Sequence, residues 1–312
     1  MIKDLTIIIP FLNEADNLPI LIRELSIFLS DKLYSTEVIF VDDGSKDNSI
    51  VILKELAFEN FTGKVIKLSK NFGSHAALRA GIINATGEKI CFIYADLQDP
   101  LKVIDDMFQK MCQGNDIVWG QRNKTSYSYF ERLFSGIYNR MMKRFIHVDF
   151  PKTGFDIVMF NQKIKRELDD NIESNSSIFI QILLLGFKQS SVSYDKIKRL
   201  RGKSKWTFGK KVKLFIDSFV AFSYAPIRFV TTTGILFFVF GILYALFVVF
   251  YALFIGNLML GWPTLIFLIM IGFGTTNISL GILAEYLWRT LDASRKRKVF
   301  IIDEIIDLKK KI

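Results

Sequence analysis

From Phe229 to Ala284 the chain carries no charged residue. A hydrocarbon core is about 30 Å thick and an α-helix rises about 1.5 Å per residue, so about 20 residues cross it once. The run holds two such crossings, and two apolar spans are expected, Phe229 to Phe254 and Pro263 to Ala284. Between them the turn from Gly256 to Gly261 has no lysine or arginine. The outer flanks do: Lys211, Lys213 and Arg228 before the spans, Arg289, Arg295 and Lys296 after. Basic flanks stay on the cytoplasmic side of a membrane. The expected arrangement is a hairpin with both ends in the cytoplasm. A buried helix pair in a soluble protein is the competing reading, but no such pair needs so long an uncharged run.

The rest of the chain reads as a soluble part. Of 312 residues half are hydrophobic, with 30 Phe, and the formal charge is +10. A basic balance suits nucleic acid, anionic lipid or phosphorylated substrates. No helix-turn-helix, zinc-finger or RNA-binding signature is present, so nucleic acid is not an expected partner. The basic residues crowd Lys203 to Lys213 and Arg295 to Lys298, next to the apolar block, which points to a membrane surface with anionic headgroups. Two cysteines, Cys91 and Cys112, lack metal spacing and fit a reducing compartment as packing residues. Met1 to Pro10 reads as a short apolar strand followed at once by Asn13 and Glu14, not as a cleavable leader, so the N-terminus is expected in the cytoplasm.

The first 120 residues or so alternate apolar strands with helices. Strands are expected at Leu5 to Pro10, Val38 to Val41, Val65 to Leu68, Ile90 to Tyr94 and Ile117 to Trp119. Helices are expected at Ala15 to Leu29, from Asp47, at Ala76 to Ala85 and from Leu101. This order predicts an α/β, mainly parallel sheet covered by helices on both faces. Further helices are expected at Tyr129 to Phe145, Lys163 to Asn171 and Ser176 to Leu185, and an edge strand at Gln189 to Tyr194. Gly209 to Ala225 has lysines at one end and Phe215, Phe219 and Phe222 along it, which suits a helix lying in the membrane interface.

Ligands of such sheets bind beyond the carboxyl ends of the strands. The polar blocks of this chain sit there: Pro10-Phe11-Leu12-Asn13-Glu14, Val41-Asp42-Asp43-Gly44-Ser45 and Tyr94-Ala95-Asp96-Leu97-Gln98-Asp99-Pro100. Carboxylates in one crevice accept hydrogen bonds from a base or ribose and hold a divalent cation that bridges to phosphates. Any one block is an ordinary turn; three in order, each closing an apolar run, point to a site.

These blocks, with Asn71-Phe72-Gly73, Gly202-Lys203-Ser204-Lys205-Trp206 and the two-span anchor, resemble family 2 glycosyltransferases of the GT-A fold. The likeness is to the branch of dolichyl-phosphate mannose synthases and bactoprenol (undecaprenyl-phosphate) glucosyltransferases, and it covers essentially the whole chain. It implies transfer of a hexose, with inversion, from a nucleotide-sugar to a polyprenyl phosphate, for cell-surface glycan synthesis. UDP-glucose is the favoured donor. It implies a multi-pass protein of the cell (inner) membrane with its catalytic domain in the cytoplasm. By the same resemblance Pro10, Leu12, Glu14, Asp42, Asp43 and Asp96 face the donor, and Arg199, Arg201, Lys205 and Trp206 close over it. Asp96 and Gln98 hold Mg2+ or Mn2+. Arg122, Arg132 and Ser135 hold the acceptor phosphate. Asp96 and Asp156 are the implied catalytic residues. Two positions depart from the family: Tyr94 stands where its metal motif begins with aspartate, and Thr153-Gly154-Phe155-Asp156 where it more often has Gly-Asp-Phe-Arg.

The chemistry makes sense of these residue types. A phosphate monoester is largely dianionic at neutral pH and already a nucleophile. What remains is to stabilise charge on the departing diphosphate and to align the partners, which a cation and arginines do. His75 could sit near the donor at a helix N-terminus but reads first as a packing residue, and His147 as structural. A processive polysaccharide synthase is disfavoured, because Trp288-Arg289 reverses the order of the Gln-x-x-Arg-Trp motif and there are only two spans. A membrane sugar-nucleotide-binding scaffold or flippase partner is the non-enzymatic alternative, raised by Tyr94. The expected domains are 1–206 catalytic, 207–228 interfacial, 229–288 spanning and 289–312 a basic tail. Gly234, Gly241, Gly272 and Gly274 would let the spans pack into a homo-oligomer.

Overall fold

The computed structural model describes residues 3–56, 58–123, 136, 140–144, 157–170, 177–197, 225–254, 261–295 and 297–308. Its backbone falls into two compact units, Met1–Asp217 with Lys298–Ile312, and Ser218–Arg297.

In the first unit, strands and helices follow as β1 (Lys3–Phe11), α1 (Leu18–Leu29), β2 (Thr36–Asp42), α2 (Ser49–Glu55), β3 (Thr62–Leu68), α3 (Ser74–Ile83), β4 (Gly87–Phe92), α4 (Lys102–Cys112) and β5 (Ile117–Arg122). Then come β6 (Ile157–Asn161), α5 (Gln162–Asp170), α6 (Ile178–Leu184), β7 (Gln189–Tyr194) and, far along the chain, β8 (Ile302–Asp307). The sheet order is β7-β5-β6-β4-β1-β2-β3-β8. Pairs β1/β2, β1/β4, β2/β3 and β5/β7 are parallel; β6 runs antiparallel to β4 and β5, and β8 antiparallel to β3.

The strands on both sides of β1 carry continuous apolar runs, Val38 to Val41 in β2 and Ile90 to Phe92 in β4, because both faces of the sheet are covered there. Successive side chains alternate between the faces. Leu5, Ile7 and Ile9 of β1 join Val38 and Phe40 of β2 in a core with Leu21 and Leu25 of α1, Leu53 of α2 and Met107 of α4. Ile8 points to the other face, against α3. There Gly81 lets helix and strand meet: a Cβ on it would lie 2.3 Å from Ile8 Cγ2. Phe92 stands edge-on to Phe160 and Phe179 on that side.

Two strands lie outside the sequence expectation. β6 is a five-residue run whose antiparallel pairing no strand-helix alternation announces. β8 falls within the segment expected as a basic tail. Its isoleucines are interleaved irregularly with Asp303, Glu304 and Asp307, so it has no clean period of two. It is identified by its partner: Val65 faces Ile306 and Ile66 faces Ile305, Asp303 pairs with Lys67 at 2.5 Å, and Ile306 and Leu308 pack on the core. The acidic side chains also suit an edge strand, since charge discourages a further strand from adding.

The second unit contains α7 (Ala225–Phe254) and α8 (Trp262–Ser294). Windows at Pro226–Tyr244 and Leu268–Asp292 are long and apolar enough to cross a membrane, with none of either window buried. Phe238, Phe240, Phe250 and Phe273 stand exposed, as lipid-facing side chains would. The hydroxyls of Thr231, Thr233, Thr276 and Ser279 donate to the carbonyls four residues earlier, which satisfies them without water. At 33 residues α8 outlasts a bilayer core by several turns. It runs on past Ala284, where the expected span ends, through an i,i+4 pair in which Arg289 Nη2 lies 2.8 Å from Glu285.

Candidate active site

The crevice of the sheet is fixed by its strand order. From β1 the chain steps one way to β2 and β3, then returns to β4 on the other side of β1. The loops leaving β1 and β4 therefore diverge, and the gap between them is where a ligand of an open α/β sheet enters. The ladder between β1 and β4 ends with the N–H of Ile93 on the carbonyl of Ile8. Pro10 comes two residues later on the same side of β1. It has no N–H to give and loses no ladder bond there, so a proline is tolerated in a central strand.

The loops after β1 and β2 are stitched together. Ser45 Oγ accepts the N–H of Asn13, Asn13 Oδ1 accepts the N–H of Lys46, and Asp47 Oδ2 accepts the N–H of Ala15. Glu14 Oε2 accepts Asn17 Nδ2 at 2.6 Å. Gly44 has φ +76°, and a Cβ there would lie 2.6 Å from the carbonyl carbon of Lys70, so only glycine fits. Asp42 is wholly buried; its Oδ1 accepts the N–H of Ser45 at 2.9 Å, and its Oδ2 has no hydrogen-bond partner among the described residues. A buried acceptor without a donor is a place for a ligand N–H or O–H.

Asp43 faces a different task. Its carboxylate accepts the N–H groups of Phe72 at 2.7 Å and Gly73 at 3.0 Å, tying β2 to the turn that starts α3. Burial pushes its pKa from 3.8 up to about 6, against the two N–H bonds. The folded state then holds the proton more tightly than the unfolded chain. This contribution to stability is fully present below about pH 4 and is lost as pH rises through about 6. At 1.36 kcal/mol per unit it amounts to about 3 kcal/mol. Denaturation of wild type and Asp43→Asn between pH 4 and 8 should show their stability difference changing by up to about this amount, mostly between pH 4 and 6. A difference flat with pH would contradict the assignment.

The loop after β4 carries the remaining acids. Asp96 Oδ1 accepts the N–H of Gln98 at 3.3 Å. Leu97 between them has φ 55°, a left-handed backbone that costs a bulky residue on the order of 1–3 kcal/mol and persists only where its surroundings hold it. Burial, then Asp99 and Asp96, pushes the Tyr94 phenol pKa up, so Tyr94 stays a neutral hydroxyl. Asp99 is buried, with Tyr194 Oη donating to its Oδ1 at 2.7 Å and Lys196 Nζ 3.6 Å from the same oxygen. Arg122 ends β5 opposite Tyr194 in register, and its charge is felt by Tyr94, Tyr194 and Lys196. The ends of β4, β5 and β7 thus bring together two carboxylates, two cations and two phenols.

A family model described as Glycosyl transferase family 2 matches residues 6–172, more than half of the chain and all three polar strand ends. The chain belongs to glycosyltransferase family 2. It is an enzyme that transfers a sugar from a nucleotide-sugar donor. Among proteins similar to this transferase, the uncharacterized glycosyltransferase YkcC of Bacillus subtilis is 30% identical over 98% of this chain and 95% of its own length. The prophage bactoprenol glucosyl transferase homolog of Escherichia coli is 29% identical over 96% of this chain and 99% of its own. Glucosyl-3-phosphoglycerate synthase from Mycobacterium tuberculosis, solved with Mg2+ and UDP, aligns at 16% identity and TM-score 0.45 over 64% of this chain and 73% of that one.

Of the residues expected in the site of this transferase, Pro10, Leu12, Glu14, Asp42 and Asp43 sit at the ends of β1 and β2, and Asp96, Gln98 and Arg122 at those of β4 and β5. Arg132, Ser135, Asp156, Arg199, Arg201, Lys205 and Trp206 lie outside the described residues, as does His147. His75 lies in the first turn of α3, edge-on to Phe179; burial, then Arg79, brings its pKa down to about 4, so it is neutral. Sequence reasoning did not single out Tyr194 and Lys196. The only signal for them is position, as the last residue of a strand and the first lysine of the basic loop.

Proposed function

We propose that this glycosyltransferase moves a hexose, with UDP-glucose the favoured donor, onto a polyprenyl phosphate at the cytoplasmic face of a membrane. The observation that carries the reading is the meeting of Asp96 and Gln98, after β4, with Arg122 and Lys196, at the ends of β5 and β7, a place for two phosphate-bearing partners. Two similar proteins, the prophage bactoprenol glucosyl transferase homolog of Escherichia coli and the bactoprenol glucosyl transferase of Shigella phage SfV, align over 96% of this chain. The membrane unit supports the same reading. The chain leaves the sheet before α7 and rejoins it as β8 after α8. A folded sheet does not straddle a bilayer, which supports both ends of the helix pair lying on one side, and the basic flanks favour the cytoplasmic side.

A divalent cation fits the donor set in a limited way. No group of three or more His, Cys, Asp or Glu gathers among the described residues. Asp96 and Gln98 offer a carboxylate and an amide oxygen, hard ligands that suit a magnesium ion keeping waters and taking substrate phosphates for the rest. When bound, such an ion withdraws charge from the departing diphosphate. In the transfer itself, an acceptor phosphate oxygen forms a bond to the anomeric carbon. The bond from that carbon to the diphosphate breaks, and its electron pair leaves on the nucleoside diphosphate. Arg122 and Lys196 reduce the repulsion between the two phosphate groups, and Arg122 can grip one in a bidentate way. Asp42 Oδ2 offers an acceptor for the base or ribose. The dianionic acceptor needs little help from a base.

Inverted and right-side-out sealed membrane vesicles, supplied with labelled UDP-glucose, test the reading. Label should enter organic-extractable lipid in inverted vesicles with added polyprenyl phosphate and Mg2+. It should enter in right-side-out vesicles only after detergent, because the donor cannot cross. No glycolipid from any common nucleotide-sugar would defeat the acceptor assignment.

A further inference from the structure

The loop that carries Asp96 and Gln98 is fastened on its far side to the end of β7. Tyr194 Oη reaches Asp99 Oδ1 at 2.7 Å, and the N–H of Ile197 reaches the carbonyl of Gln98 at 2.8 Å. Lys196 Nζ lies 3.6 Å from Asp99, whose side chain is 2% exposed. Between Asp96 and this fastening sits Leu97 in its left-handed conformation, φ 55°. A buried carboxylate with a phenol and an ammonium is not the cheapest way to fill space, since apolar side chains of like volume are often as stable. The polar version is directional: it sets where Asp99 sits, and only two peptide units separate that residue from Leu97. Freed of the fastening, Leu97 would relax to negative φ, and Asp96 and Gln98 would turn apart.

We propose that Asp99 and Tyr194 are positioning residues. They hold the strained Asp96-Leu97-Gln98 turn so that both side chains present oxygen to one cation-bearing diphosphate, with Lys196 as the counter-charge of Asp99. Neither touches the substrate. The inference rests on the proposal that Asp96 and Gln98 take the cation, and it adds that their competence is set from β7.

The test uses the full chain in detergent and calorimetric binding of UDP or GDP, whichever wild type binds more tightly, with Mn2+ and with EDTA. In wild type Mn2+ should tighten binding. In Tyr194→Phe, which keeps the ring and its packing, that tightening should shrink by about tenfold, the range for one hydrogen bond to a charged group. Affinity in EDTA should stay within about twofold, because the base and ribose contacts are elsewhere. Asp99→Asn should act in the same direction; if it fails to fold, Tyr194→Phe carries the test alone. A merely structural role would weaken binding equally with and without Mn2+, and that result overturns the proposal. So does an unchanged Mn2+ effect in Tyr194→Phe, which leaves the cation reading intact. A wild type whose binding ignores Mn2+ overturns both.

Discussion

Asp96→Asn should slow sugar transfer by about a hundredfold to a thousandfold, the range seen when one preorganised charge-stabilising group is removed. The substitution keeps shape and keeps an oxygen to accept the Gln98 N–H, so the loop has no reason to unfold. What it removes is charge. Tyr94 is neutral, and Asp99 is engaged with Tyr194 and Lys196. The Asp96 charge is then lost without a change of shape, and no group of three or more His, Cys, Asp or Glu gathers among the described residues to replace it. The loss should fall on kcat as well as on KM, because charge on the diphosphate grows in the transition state. Steady-state rates with the proposed donor and acceptor, UDP-glucose and polyprenyl phosphate, measure it, with the thermal midpoint as a control for folding. A variant keeping more than about a tenth of wild-type turnover would remove Asp96 from the centre of the mechanism.

Much of this candidate site is legible in the sequence, for a physical reason. In a doubly wound sheet the position of a residue along a strand sets its place in space, so a polar block closing an apolar run must lie at the crevice. Pro10, Asp42 and Asp96 follow from that rule alone. The roles of neighbours within a block do not. Asp42 and Asp43 are adjacent and chemically identical, yet one has a carboxylate oxygen without a partner and the other is committed to Phe72 and Gly73. That difference depends on Gly44 and on where α3 begins, both tertiary facts. Tyr194 and Lys196 were hidden for a related reason: their partner Asp99 is 95 residues away from Tyr194 along the chain. β6 and β8 escaped because antiparallel partners arriving from distant sequence leave no local pattern.

The C-terminal strand has the other large consequence. Deleting residues 298–312 removes nothing that looks catalytic and leaves both membrane helices, yet it should cost the first unit about 3–5 kcal/mol, from partial burial of three apolar side chains and a ladder of hydrogen bonds. β8 covers the outer edge of β3, with Ile306 and Leu308 on the core and Asp303 and Glu304 facing Lys67 and Lys54. Without it, β3 becomes an exposed edge holding unpaired backbone groups, and Lys67 on β3 and Lys54 on α2 lose their partners. A domain stable by about 5–15 kcal/mol can lose a third or more of its margin in this way. The truncated chain should melt well below wild type and aggregate, while Asp303→Asn, which loses only one half-exposed ion pair, should change stability by less than about 1 kcal/mol. Donor binding by whatever fraction stays folded should be near normal, because Pro10, Asp42 and Asp96 do not touch β8. Normal stability in the truncated chain would mean that β8 does not belong to the sheet.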